Sequence, residues 1–179
     1  NLAEVRKAVD VGSGVGHWGQ RLLRHMSPEA TMLGVDAEAA WESKAATRAE
    51  KLGLKDQTSY QTAPAEALPF EDNSFDFVTC QTVLMHVRDA GVVVAEMIRV
   101  LRPGGLFVAA EPNNFGSAAG HLINEPRIPW ENMVELLELD YICGQGKEAL
   151  GEGWSSMGNR LPQIVAEQGL VDLGVNVNN

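Results

Sequence analysis

Asp10, Gly12, Gly14 and Gly16 stand at alternate positions after the apolar pair Ala8-Val9, and Asp36 lies 20 positions beyond the last of these glycines. Glycines at this spacing let a chain turn sharply out of a strand and bring its backbone against a ligand where a β-carbon would clash. A carboxylate at the tip of the neighbouring strand can accept hydrogen bonds from the diol of a ribose. Asp10 sits alone in an apolar strand, where a carboxylate is costly to bury unless something satisfies it. That position makes it a candidate for holding a cationic group, directly or through water. Gln81 and Glu111 each follow a strand-like run, Phe75 to Cys80 and Leu106 to Ala110, and so fall where open α/β sheets present ligands. His86, in Leu84-Met85-His86-Val87, adds a group able to serve as a base or to orient a substrate. His86 and Glu111 are the two candidate bases. The structural alternatives are a donor at a helix edge for His86 and a cap or ion pair for Glu111.

The elements that must position these groups follow from the pattern of apolar residues. Strand-like runs at Ala8 to Val11, Thr31 to Val35, Thr58 to Gln61, Phe75 to Cys80 and Leu106 to Ala110 alternate with helical patterns at Trp18 to His25, Trp41 to Leu52 and Gly91 to Leu101. Such alternation implies a parallel sheet with helices on both faces. Gly53 falls where a helix would end, and Arg102-Pro103-Gly104-Gly105 reads as the turn into the fifth strand. Beyond Pro112 the pattern changes. Asn113 to Ser117 is rich in turn formers, Trp130 to Leu139 has helical spacing, and Gly144 to Gly153 reads as a loose glycine-rich stretch. The region 113–157 is therefore expected to be an insertion within a single domain of residues 1–179. A helix over Leu161 to Gln168 and a sixth strand over Val171 to Val177 complete the expected order.

Four ordered blocks carry a family resemblance: Asp10-x-Gly12-x-Gly14-x-Gly16, Ala65-Glu66-Ala67-Leu68-Pro69-Phe70, Asn73-Ser74-Phe75-Asp76-Phe77-Val78, and Arg99-Val100-Leu101-Arg102-Pro103-Gly104-Gly105. In order and spacing the chain resembles the class I S-adenosylmethionine-dependent methyltransferases, in the small-molecule branch that contains quinone-biosynthesis enzymes. The resemblance is close from about Ala8 to Pro112 and looser from Gly158 to Val177. It implies a doubly wound, Rossmann-like, mostly parallel α/β fold, with S-adenosylmethionine as cofactor and S-adenosylhomocysteine as product. The implied reaction is in-line methyl transfer to a small-molecule acceptor, which the inserted region helps cover.

By the same resemblance, Gly12, Ser13, Gly14 and Gly16 line the methionine end of the cofactor, with the amides of Ser13 and Val15 as donors. Asp10 meets its ammonium group, Asp36 with Ala37 meets the ribose, Ala65 and Glu66 meet the adenine edge, and Gln81 contacts it from the tip of the fourth strand. The chain departs from the pattern at Pro64, where an acid usually precedes the alanine, so a carboxylate contact to the exocyclic amine is in doubt. Two other readings are weighed. Gly14-Val15-Gly16-His17-Trp18-Gly19 also fits the dinucleotide pattern G-x-G-x-x-G of NAD-dependent oxidoreductases, but Asp10 interrupts the strand and the later blocks oppose it. A catalytically silent cofactor-binding or partner-stabilising module is the other.

Composition narrows the partners. With 24 acidic against 14 basic residues the formal charge is −10, which argues against a nucleic-acid backbone as partner. Cys80 and Cys143 have neither a metal-ligand spacing nor a disulfide framework. A cytoplasmic setting and no metal cofactor are the expectations. No apolar run approaches the length of a membrane span. The chain opens on Asn1 rather than Met, so N-terminal lid helices of the kind relatives carry are expected to be missing. The last antiparallel strand of the family sheet is expected to be missing too. That would leave a sheet edge that a second copy, in a homodimer, could cover.

Overall fold

The computed structural model describes residues 1–123 and 128–176. Five parallel strands form one sheet in the order β3-β2-β1-β4-β5. They are β1 (Lys7–Val11), β2 (Thr31–Asp36), β3 (Thr58–Thr62), β4 (Phe75–Gln81) and β5 (Leu101–Ala110). The intervening helices are α1 (His17–Leu23), α2 (Ala40–Lys51) and α3 (Ala90–Val100), followed by α4 (Asn114–Ile123), α5 (Trp130–Ala149) and α6 (Leu161–Glu167). Right-handed crossovers put α1 and α2 on one face of the sheet and α3 on the other, because the strand order reverses beside β1. The expected doubly wound, mostly parallel fold is therefore present, with the bounds of β1 to β4 and α1 to α3 shifted by a residue or two.

Chain contacts divide the molecule into two compact units: Asn1–Val83 with Val92–Ala110, and Leu84–Gly91 with Glu111–Asn179. In the first unit, β1 lies between β2 and β4, and apart from Asp10 the side chains it buries are apolar on both faces. Ala8, Val9 and Val11 are buried, as are Phe75, Phe77, Val78 and Cys80 of β4. Withdrawing one such valine or phenylalanine from water stabilises the fold by about 1.5–3 kcal/mol. Val93, Val94, Met97 and Val100 of α3 are fully buried, and their spacing marks one helical face.

At the amino ends of the strands Asp76 acts as a rivet. Its Oδ2 accepts the amides of Arg6 and Lys7 at 2.9 and 3.0 Å, and its Oδ1 lies 3.0 Å from the Arg102 guanidinium. The turn expected at Arg102 to Gly105 is instead a bulge inside β5. Leu101 pairs with Phe75 and Leu106 with Phe77, so the four residues between them oppose Asp76 alone. Gly104 takes a φ of +75° there. The terminus of α2 is as expected: Gly53, at φ +71°, donates to Glu50 and Leu54 donates to Ala49, the paired bonds that close a Schellman motif.

The second unit overturns three expectations. Asn113 to Ser117 is no loop: Asn113 Oδ1 accepts the Gly116 amide at 2.9 Å and caps α4. The residues from Gly144 to Ala149 continue α5, which runs for 20 residues. Each of its glycines costs about 1 kcal/mol relative to alanine, and good helix formers surround them. α5 ends only at Gly151, φ +74°, where Gly151 donates to Glu148 and Glu152 to Lys147. Val171 to Asn176 forms no strand. Val171 and Val175 are 81% and 63% exposed, Asp172 takes a positive φ, and the described segment makes no ladder with any strand. Val177 lies outside the described residues.

Candidate functional site

The glycine loop leaves the carboxyl end of β1, and all three of its glycines take a positive φ. Gly12 and Gly16 have φ of +67° and +73°. A Cβ on Gly12 would come within 2.3 Å of the Val83 side chain, and one on Gly16 within 2.5 Å of Gln20 Nε2 and 2.8 Å of the Tyr60 hydroxyl. Gly14, at φ +49°, has no neighbour within 4 Å of the Cβ position. The loop backbone is therefore tight on both flanks and open at its crest.

Asp36, at the end of β2, fastens this crest. Its Oδ2 accepts the Gly14 amide at 2.9 Å and its Oδ1 the Glu38 amide at 3.0 Å, while its carbonyl accepts the Ala63 amide at 3.0 Å. A carboxylate has about four acceptor positions, so both oxygens keep capacity for a pair of hydroxyls. The side chain is half-buried, and Ala37 beside it is exposed. Ala65 and Glu66 form the turn Pro64–Ala67, closed by the Ala67 amide on the Pro64 carbonyl at 3.3 Å. Gln81 is exposed at the tip of β4, paired with Ala110. The structure thus gathers Gly12, Ser13, Gly14, Gly16, Asp36 and Ala37 at the ends of β1 and β2. It places Ala65 and Glu66 just past the end of β3 and Gln81 at the last position of β4.

One expected donor is used elsewhere. The Ser13 amide donates to the Val35 carbonyl at 2.9 Å, which pins the loop to β2 and takes that N–H from any ligand. Asp10 is 1% exposed, and its Oδ2 accepts the amide of Gly19, in the first turn of α1, at 2.9 Å. Gly16, the N-cap of α1, brings no side chain to that end, so the strand supplies the anion that the helix terminus favours. Burial pushes the Asp10 carboxyl up to about 7 against the opposing pull of the Gly19 amide, and the nearby Asp36 charge adds to the rise. A Cβ on Gly19 would stand 2.8 Å from Asp10 Oδ2.

Three further supports lie outside the motif residues. Gln20 Nε2 donates to the Tyr60 hydroxyl at 2.6 Å and to the Ala45 carbonyl at 3.2 Å, bracing the floor beneath Gly16. Trp18 Nε1 donates to Thr79 Oγ1 at 2.8 Å. Gly34 lets the Tyr60 ring and Ser13 Oγ approach to 2.6 and 2.7 Å of where its Cβ would be, and a lone glycine inside a strand pattern is the signal that could have found it. Gly34→Ala is expected to cost about 1–3 kcal/mol in urea unfolding through this overpacking.

In the second unit, His86 ends the 3-10 turn Leu84–His86 and is exposed. Glu111 accepts the amides of Leu84 and Met85, at 2.9 Å on Oε1 and 3.1 Å on Oε2. Lys147 Nζ donates to the Met85 carbonyl at 2.9 Å. The Glu111 carboxylate therefore has a capping task, and the turn it fixes is the one that carries His86. Among the described residues no group of three or more His, Cys, Asp or Glu side chains is placed to hold a metal ion. No described helix is long and apolar enough to cross a membrane.

The parallel sheet, the glycine loop at its reversal point and the acid closing β2 define the class I methyltransferase fold. Over 93% of this chain and 63% of its own, a Bacillus halodurans structure shares that fold at a TM-score of 0.67 and 19% identity. Geranyl diphosphate C-methyltransferase from Streptomyces coelicolor, solved with S-adenosyl-L-homocysteine, matches at 0.55 and 21% identity over 67% of this chain and 48% of its own. The demethylmenaquinone methyltransferase of Staphylococcus aureus is 38% identical over 105 residues, 59% of this chain and 42% of the relative. This chain thus spans about two fifths of that relative's length. Residues 9–109 match the methyltransferase domain family, and the chain belongs to that family.

Proposed function

We propose that the protein is an S-adenosylmethionine-dependent methyltransferase acting on a small molecule. The observation that carries this reading is Asp36, a half-buried carboxylate fastened to Gly14 at 2.9 Å beside a loop crest open to a ligand. The residues fit the cofactor: space at Gly14 where a Cβ would project, spare acceptors on Asp36 for the ribose diol, and a turn at Ala65 and Glu66 for the adenine. When bound, S-adenosylmethionine supplies a methyl group already activated by positive sulfur, so the protein's task is chiefly alignment. Asp36 and Ala37 hold the ribose, while the loop backbone at Gly12, Gly14 and Gly16 meets the methionine end with Ser13 as its anchor. Asp10 sets that end electrostatically from below the loop, and Gln81 contacts the cofactor from the tip of β4.

His86 is the base where the acceptor must lose a proton, and Glu111 orients its turn. Region 113–157 supplies acceptor binding. The same reading has the enzyme in the cytoplasm, with no nucleic-acid partner and a homodimeric state. Because one relative is named a demethylmenaquinone methyltransferase, reduced quinones head the acceptors to test. Calorimetry should show binding of S-adenosylmethionine and S-adenosylhomocysteine but not NAD, and labelled methyl should pass to an acceptor in a screen that includes hydroquinones. Cofactor binding with no transfer to any acceptor would leave a silent binder; NAD binding alone would overturn the reading.

A further inference from the structure

The Arg99 guanidinium donates on all three of its nitrogens, and none of the bonds is made to a group assigned above to the cofactor. Its Nε donates to Glu96 Oε1 at 2.7 Å. Its two terminal nitrogens donate to the Phe70 carbonyl at 2.8 Å, Asp72 Oδ1 at 2.7 Å, the Leu68 carbonyl at 3.0 Å and Glu96 Oε2 at 2.8 Å. These use the whole donor fork of a guanidinium. Glu96 Oε2 in turn accepts the Leu68 amide at 2.9 Å. Leu68, itself buried, is thus held by its N–H through Glu96 and by its C=O through Arg99. The backbone of the helix end adds two more ties, Asn73 to the Arg99 carbonyl at 2.9 Å and Ser74 to the Val100 carbonyl at 2.8 Å.

Between Leu68 and the other anchored residue, Ala63 on the Asp36 carbonyl, lie only the four residues of the Pro64–Ala67 turn. That turn is poorly equipped to recognise a base with side chains. Pro64 has no N–H, Ala65 is a methyl group, and Glu66 points an exposed carboxylate to solvent. Recognition of a purine edge there must come largely from backbone groups, and a backbone donor discriminates only if its position is fixed. A hydrogen bond misplaced by a fraction of an ångström or tilted below about 120° is largely lost.

We propose that Arg99 and Glu96 form a positioning clamp that sets adenine selectivity, by fixing Leu68 and through it the Ala65–Glu66 turn. The inference rests on the assignment of that turn to the adenine. Arg99 touches no reacting atom; it acts through the turn. A lysine cannot replace it, because a point charge lacks the planar fork that serves two carbonyls and two carboxylates together.

The test compares two ligands that differ only at the base, S-adenosylhomocysteine and S-inosylhomocysteine, by calorimetry on the wild-type protein, Arg99→Lys and Glu96→Gln. Thermal unfolding is recorded for each variant. The wild type is expected to prefer the adenine ligand at least tenfold. Arg99→Lys should bring that preference to within about threefold of unity by weakening the adenine ligand alone. Glu96→Gln keeps an oxygen for Leu68 and should lose only part of the preference, and it serves where Arg99→Lys does not fold. A loss of general stability would weaken both ligands by the same factor and leave the ratio intact. An unchanged ratio in either folded variant overturns the clamp. Absence of S-adenosylhomocysteine binding in the wild type instead overturns the cofactor assignment itself.

Discussion

Asp36→Ala is expected to weaken S-adenosylhomocysteine binding about 100-fold in titration calorimetry. The expected size follows from the loss of hydrogen bonds to a charged acceptor, each contributing about 1.5–3 kcal/mol, where a factor of 100 corresponds to about 2.7 kcal/mol. Two effects add. On the proposed assignment the ribose diol loses its acceptor, and the Gly14 amide loses the 2.9 Å bond that holds the loop crest beside β2. Asp36→Asn separates them, since an amide oxygen still accepts one N–H but presents a donor where the second hydroxyl needs an acceptor. It should fall between the two proteins. Wild-type affinity in Asp36→Ala would remove the residue on which the functional reading chiefly stands.

Asp10→Asn is expected to make the protein more stable at pH 8 than the wild type by as much as about 4 kcal/mol, and equal to it near pH 4. Burial raises the Asp10 carboxyl from 3.8 to about 7 in the folded chain. Between those values the native state holds a proton that the unfolded chain has released. Stability from this group is therefore full below pH 3.8 and is lost as pH rises through 7. A difference of about three pKa units corresponds to about 4 kcal/mol. Asparagine keeps an oxygen for the Gly19 amide and carries no charge to desolvate. Urea unfolding of both proteins from pH 4 to 8 measures the difference, from which the other carboxylates cancel. Parallel curves would show that Asp10 titrates as an ordinary acid. A positive ligand group near this carboxylate would draw its proton off, so cofactor binding near pH 7 should release protons in proportion.

How far the sequence disclosed this arrangement depended on whether a signal was local or needed a partner. Val9 and Val11 announce a strand buried on both faces, and Gly12, Gly14 and Gly16 announce the loop, because each owes its identity to its own backbone or burial. Asp36 was legible through spacing, since a strand, a helix and a second strand take up a nearly fixed number of residues. Ser13 was misjudged as a ligand donor because its amide partner, the Val35 carbonyl, lies on another strand. Asn113 was read as a loop former although the same side-chain oxygen that favours turns also starts helices. The expected strand at Val171 to Val177 had the right residue types, but strand formation requires a neighbour with which to pair. Gln20 and Tyr60 carry no motif, and only their 2.6 Å contact reveals that they brace the glycine loop.

The rivet at Asp76 gives the sheet unequal ends. Where strands begin, one carboxylate ties the start of β1 to β4 and reaches Arg102 of β5; where they finish, Gly14 and Ala63 each donate one bond to Asp36. Amide exchange should accordingly be slow at Arg6 and Lys7 and faster at Gly14 and Ala63. A lineage could then rework the finishing edge through many substitutions while the opposite margin preserved the architecture undisturbed.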